Sequence, residues 1–382
     1  MVKYFSLYIF FFISCSNQII LYNDGIEDQV KQIKIIKDYC FDTLFISQAL
    51  SPNPVMSQIY DNQDQVEYYM WDHDTIFGID YYSSKVLKKI ILKNKCGKLN
   101  SFSGFKICSG DSIFVYNYWS GILFLLDSTS TVVKRWNILQ HEKKYKYPLY
   151  PRTIGYSPII LYNDDVILSG SNYGHVFKAE GKDNPVSLRL NLRNGSISYI
   201  KSYPEHYRKA NFGSEHCKLV YHASGEKNDC ILYSFPMDHN IYYYSGKLDS
   251  IRAIYAGSKY VKNIKSADIP YSKMIKDRKV GVSYYVSEST YADIVYDKYR
   301  NFYYRIVEFP IKNWQINSRT FIKPFSILVL DHNFNVIGES EIINDKAYNR
   351  NNIHIVPEGL IIQKCNSDEN IIIFSLFKFQ NL

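Results

Sequence analysis

The stretch IFGIDYYSSKVLKKIIL (76–92) decides the fold. An apolar strand ends on Asp80, a short polar turn follows, and a second strand returns. The pattern recurs in ILFLLDSTSTVVKRWNIL (122–139), VSLRLNLRNGSISYI (186–200), IYYYSGKLDSIRAIY (241–255) and SILVLDHNFNVIGESEI (326–342). Asp80, Asp127 and Asp331 close the first strand in three of the five copies. A short carboxylate there accepts hydrogen bonds from nearby backbone N–H groups and starts a turn. Their shared position marks them as turn residues, although an isolated Asp of this kind resembles a catalytic acid.

A second pattern precedes the first. A polar turn leads into an apolar strand in DHDTIFGI (72–79), SGDSIFVY (109–116), YNDDVILS (162–169) and VPEGLIIQ (356–363). Joined, the two patterns give antiparallel units of three or four short strands, the signature of an all-β fold. The hairpins recur at 47 to 85 residues, and six units of about 61 would fill the chain. That is long for a propeller blade of ~40–50 residues, so loops must absorb the excess. A β-propeller follows, because a ring of blades buries both faces of each sheet and leaves only short edges. Six blades fit best, with seven as the alternative. The C-terminal pair GLIIQKCNSDENIIIFSLFKF (359–379) is expected to take an early strand such as QIILY (18–22) into its sheet and close the ring.

Composition agrees. The 382 residues include 36 Tyr and 22 Phe, and aromatic and β-branched residues suit pleated, half-buried surfaces. The formal charge of +8 is spread along the chain, apart from short runs such as Lys143-Lys144-Tyr145-Lys146. No compact basic stripe tracks a phosphate backbone, so nucleic acid is not an expected partner.

The N-terminus reads as an export signal. Lys3 precedes a ten-residue apolar stretch, Tyr4 to Ile13, interrupted only by Ser6. A membrane-spanning helix needs roughly 20 residues, whereas a signal-peptide core needs about 7–15. Phe12-Ile13-Ser14-Cys15 resembles a lipobox, in which a small residue precedes the Cys that receives the lipid. The expectation is a cleaved signal over residues 1–14, a lipid on Cys15, and a single propeller domain over 15–382. Ser16, in place of Asp, points to the outer membrane, with either face open. Of the other cysteines, Cys40, Cys96, Cys108, Cys217, Cys230 and Cys365, none forms a CxxC pair. Cys217 and Cys230 flank one strand-loop-strand unit and either face one another or are buried thiols.

On the lipobox, the Tyr-rich strands, YDKYRNFYYRI (296–306) and the DHNFNVIGE turn (331–339), the chain resembles domain of unknown function 4221, a family of envelope lipoproteins from the Bacteroidota. The resemblance implies a TolB-like or six-bladed propeller at the cell surface or in the periplasm. It implies no reaction.

The least regular interval, 266–310, suggests a ligand site, because long loops on a rigid scaffold commonly carry binding. Tyr296, Asp297, Tyr299, Arg300, Tyr303, Tyr304 and Arg305 bring aromatic faces, a carboxylate and two guanidinium groups together. The same residues also read as a hairpin with its turn at 298–301 and its tyrosines packed between blades. His206, His216 and His222 lack an evident third-ligand geometry, and neither metal nor cofactor is expected. Asp72/Asp74 and Asp164/Asp165 fall in expected turns, and no GxSxG elbow occurs. The favoured function is a lipid-anchored, non-enzymatic binding or scaffold module for a peptide, glycan or protein. The alternative is an exported polysaccharide hydrolase or lyase.

Overall fold

A computed structural model describes residues 18–25, 33–46, 50–62, 64–139, 149–170, 185–213, 215–225, 230–245, 250–315 and 322–381. Cys15 and the signal segment lie outside these residues. Six four-stranded antiparallel sheets form the ring. The first blade comprises Met56–Asp61, Val66–Asp72, Thr75–Asp80 and Val86–Ile91. The second comprises Gly104–Ser109, Ser112–Asn117, Ile122–Leu126 and Val132–Asn137. The third runs Ile160–Tyr162, Asp165–Ser169, Pro185–Asn191 and Ile197–Ser202, and the fourth Tyr221–Ser224, Ile231–Ser234, Asn240–Ser245 and Ser250–Tyr255. The fifth runs Thr290–Asp297, Phe302–Glu308, Phe325–Leu330 and Val336–Glu339. The sixth takes Tyr348–Val356, Gly359–Lys364 and Ile371–Asn381 from the C-terminal end and Ile33–Phe45 from the N-terminal part.

Each sequence hairpin is the outer pair of a blade; the polar-turn motifs at 109–116, 162–169 and 356–363 join an inner strand to the second, and the one at 72–79 joins the second strand to the third. The turn chemistry is as the sequence implies. Asp80 Oδ1 accepts from the Ser83 N–H, Asp127 Oδ1 from Thr129 and Thr131, and Asp331 Oδ1 from Asn333 and Asn335. Tight turns at His73 and Asn163 need positive φ, 49° and 54°, which matches the twist of the strands they join.

Two details differ from the sequence reading. Ile20–Tyr22 pairs with Asn263–Lys265 in a separate two-stranded sheet, and it is Ile33–Phe45 that pairs with Ile371–Asn381. The two candidate strands have the same apolar character, and only the tertiary context separates them. Asp72 and Asp165 are strand residues and buried; Asp165 is bound by Arg189 and Asn191. Of the two alternatives left open for Cys217 and Cys230, buried thiols is the one observed.

The faces between blades hold the core. One cluster joins the sixth and first blades through Leu44, Tyr68, Ile79, Ile361 and Phe374. Others join the first to the second and the second to the third. A large Tyr-rich cluster runs from the third blade to the sixth. Burying a Tyr or Phe removes 150–250 Å² from water and fills the wide wedge between twisted sheets, which gives the aromatic composition its structural use.

Several ionisable groups are buried with the tyrosines. Glu308 accepts from Arg350, from Tyr285 Oη and Thr290 Oγ1 (both 2.7 Å), and lies 3.8 Å from Lys323 Nζ. Burial alone would raise its carboxyl, but the Arg350 and Lys323 charges hold it down at about 2. His222, His239 and His354 are each pushed down to about 4 by burial.

Those histidines set a pH dependence. Unfolded imidazoles titrate near 6.5. Between that value and 4 the unfolded chain binds more protons, so stability falls as pH falls through this window. Asp293 opposes them, since burial raises its carboxyl to about 7 and the native state holds its proton at lower pH. His206 and His216, also lowered by burial, add to the loss, Glu288 and Glu339, raised by burial, offset part of it, and the histidines leave a net loss. Urea unfolding should show stability lower at about pH 5 than at about pH 7.5, by on the order of 2–4 kcal/mol. Equal or greater stability at the lower pH would contradict the buried neutral histidines.

Candidate functional site

The first strand of every blade faces the ring axis, and together these strands wall a central channel of about 540 Å³. All six blades contribute, among them Gln58 and Tyr60, Lys106 and Cys108, Leu161, Ser224, Tyr296 and Ile355. The volume falls within the ~300–1,000 Å³ range of small-molecule sites. The inner strands run in the same direction, so their C-terminal ends gather at one mouth. There Lys298 Nζ lies 2.8 Å from Asp61 Oδ2, and Tyr299 Oη donates to the same carboxylate.

Much of the wall is apolar or already bonded. His354 Nε2 meets Ser57 Oγ at 2.8 Å, and Gln58 bridges the first and second blades by bonding both the N–H and C=O of Ile107 (2.9 Å each). His222 lies between Ser169 Oγ and the Pro158 carbonyl, 2.6 Å from each. Lys106 differs. Among the described residues its ammonium has no ion pair or hydrogen bond. Burial lowers its proton affinity, and the nearby Lys298 charge acts in the same direction. The hydroxyls of Tyr60 and Ser224 likewise make no hydrogen bond among the described residues.

The residues singled out from 296–305 separate into different environments. The hairpin turn spans 298–301, between strands ending at Asp297 and starting at Phe302. Tyr296 lines the channel, with its hydroxyl 3.0 Å from Asn301 Oδ1. Asp297 is fully buried. It accepts from the backbone N–H groups of Tyr299 and Arg300, from Arg300 Nη1 (2.9 Å) and from Tyr304 Oη (2.7 Å). Arg300 also donates to the Pro357 carbonyl, tying the fifth blade to the sixth. Tyr303 packs on Tyr296 and Phe334, and Tyr304 stacks on Phe379 with centroids 4.6 Å apart.

Arg305 is 0 % exposed and spends every donor group inside the protein. Nε donates to Ser234 Oγ, Nη1 to the carbonyls of His239 and Ala256, and Nη2 to those of Asp238 and Asn240, at 2.8–3.1 Å. Its plane lies 3.8 Å from the Tyr291 ring centroid. It clamps the fourth blade to the fifth through backbone carbonyls and does not reach the channel. Of the segment, Tyr296 and the unselected Lys298 reach the channel.

The irregular interval itself holds two helices, Tyr271–Lys276 and Arg278–Ser287, at the end of the ring away from the Asp61–Lys298 mouth. The histidines also disperse. His206 bonds the Met237 carbonyl and His216 stacks on Tyr285.

Arg305→Ala should therefore act on stability. It leaves four carbonyls without this donor, and a cost of ~3–5 kcal/mol is expected in denaturant unfolding, as for other broken buried charge networks. A variant with a wild-type unfolding midpoint would remove the clamp.

A family model described as domain of unknown function (DUF4221) matches residues 33–341. The crystal structure of a DUF4221 family member from Bacteroides vulgatus is similar, with TM-score 0.77 and 20% identity over 93% of this chain and 100% of that one. A putative exported protein from Bacteroides fragilis is similar with TM-score 0.53 and 11% identity, over 95% of this chain and 97% of that one. No curated protein matches the chain.

Proposed function

The chain belongs to the DUF4221 family, and from that premise we propose that it is a cell-envelope binding module that takes its ligand in the central channel. The observation that carries this reading is the channel itself: all six blades wall it, and it keeps polar groups that the protein leaves unbonded. A peptide, a glycan or a segment of a partner protein is the ligand class. The apolar run ending at Cys15 supplies export and a lipid anchor, placed at the outer membrane. The description of the Bacteroides fragilis relative as a putative exported protein supports an envelope location.

A polysaccharide hydrolase or lyase is the second reading, and the channel does not favour it. Glycosidic hydrolysis generally uses two carboxylates, one acid and one base or nucleophile. Among the described lining residues Asp61 is the one carboxylate, and Lys298 and Tyr299 already hold it.

Two experiments test the proposal. Thermal unfolding against a panel of glycans and peptides should find a ligand that raises the melting temperature, since ligand at 100 times its Kd adds ~2.7 kcal/mol to the native state. Ile355→Trp, which fills the channel, should abolish that shift, while Trp119→Ala on the exposed outer surface should keep it. Binding that survives Ile355→Trp in a folded variant would move the site elsewhere. For the anchor, Cys15→Ala should release the protein from washed membranes. Retention of this variant would exclude the lipid.

A further inference from the structure

We infer that the channel ligand carries a carboxylate on a sugar, a uronic acid unit of an oligosaccharide, and that this carboxylate sits on the Lys106 ammonium. The inference rests on the channel reading above and names the chemistry of its ligand.

Charge is the first argument. Among the described residues two lysines and one aspartate line the channel, and Asp61 is committed to Lys298. One cation is left over, at Lys106. The two histidines of the wall do not add to it at neutral pH, because burial keeps both uncharged. The Lys106 side chain is half-buried on the channel wall, and a partly desolvated ammonium is stabilised by an anion beside it. Other buried cations have partners of several kinds, and Lys218 lies over the Tyr271 ring. Arg350 and Lys323 meet Glu308, and Arg305 is surrounded by carbonyls. Lys106 has no partner among the described residues, and it faces the cavity.

The form of the anion follows from what surrounds that lysine. No arginine fork is among the described lining residues, and a single ammonium is a point charge. Phosphate sites typically combine such a charge with a fork or a cluster of backbone N–H groups. A singly charged carboxylate needs only the one cation.

The rest of the ligand follows from the remaining groups. Tyr60 and Ser224 offer hydroxyls with no partner among the described residues, able to donate to and accept from sugar hydroxyls. Tyr60 and Tyr296 also present rings on the lining, and an amphipathic ring suits a sugar, which has apolar C–H faces and a hydroxylated rim. The volume of 540 Å³ leaves room for more than one sugar unit.

The test is calorimetric titration of the full-length protein with a galacturonate trimer, the matched neutral galactose trimer and a short peptide with a free C-terminal carboxylate. The acidic sugar should bind at least about tenfold tighter than the neutral one, a difference of ~1.4 kcal/mol, and should weaken with added salt. Lys106→Met should erase that preference, and Lys106→Arg should retain it. Lys106→Met should also melt higher than wild type without ligand, since it removes an unpaired charge, so loss of binding will not be confused with loss of fold. Equal binding of the two sugars, or unchanged preference in Lys106→Met, overturns the carboxylate assignment. So does binding of the peptide alone, or of none of the three. If a ligand binds but shows no charge preference, and Ile355→Trp abolishes it, the channel reading stands while this inference falls. Binding of the acidic sugar that persists in Ile355→Trp defeats both.

Discussion

Everything in this molecule depends on closing the ring, and one strand pairing does it. Ile371–Asn381 lies between Gly359–Lys364 and Ile33–Phe45, so the sixth sheet is built from both ends of the described chain. Without Ile33–Phe45 the sixth sheet would lose its outer strand and expose a row of unpaired backbone groups. The Leu44, Phe374 and Tyr68 cluster between the sixth and first blades would lose part of its packing. The channel needs the same closure, because its walls are single strands drawn from six sheets and none forms a cavity alone.

The interior shows two uses of charge. Around Arg305, and around Glu308 with Arg350 and Lys323, ionised groups are surrounded by partners and tie neighbouring blades together. These contacts fall where the chain is least repetitive, between the fourth and sixth blades. Two short helices there interrupt the strand rhythm. On the axis, Lys106 has no such company among the described residues. A fold able to satisfy five donors on one arginine would have had little difficulty supplying a carboxylate for one lysine, which gives its solitude functional weight.

Much of the architecture was legible in the sequence, because the outer hairpins carry strong local signals. An apolar strand, an Asp that caps the turn and a returning strand are properties of 15–18 consecutive residues. Asp80, Asp127 and Asp331 behave as that local chemistry requires. The closing strand was harder, since Ile20–Tyr22 and Ile33–Phe45 are both apolar and pairing across the whole chain leaves no local mark. The site was hardest. Tyr and Arg are dense in 296–305, but Tyr296 lies on the innermost strand of its blade and faces the channel, while Arg305 lies on the second strand and is internal. Lys106 sits in GFKICS, an ordinary-looking short strand. Its importance appears only once that strand is known to be the innermost of its blade.

The small sheet formed by Ile20–Tyr22 and Asn263–Lys265 fixes a direction as well as a contact. Gln18 and Ile19 already bond Ser266, so only Ser16 and Asn17 separate Cys15 from anchored backbone. Three such steps reach ~10–11 Å even when fully extended. A lipid on Cys15 would thus work as a short leash, with no freedom for the propeller to roll over. Asn23 and His239 hold the leash's root at the end of the ring where the inner strands begin. The Asp61–Lys298 mouth, at the other end, would point away from the bilayer and open toward whatever diffuses past.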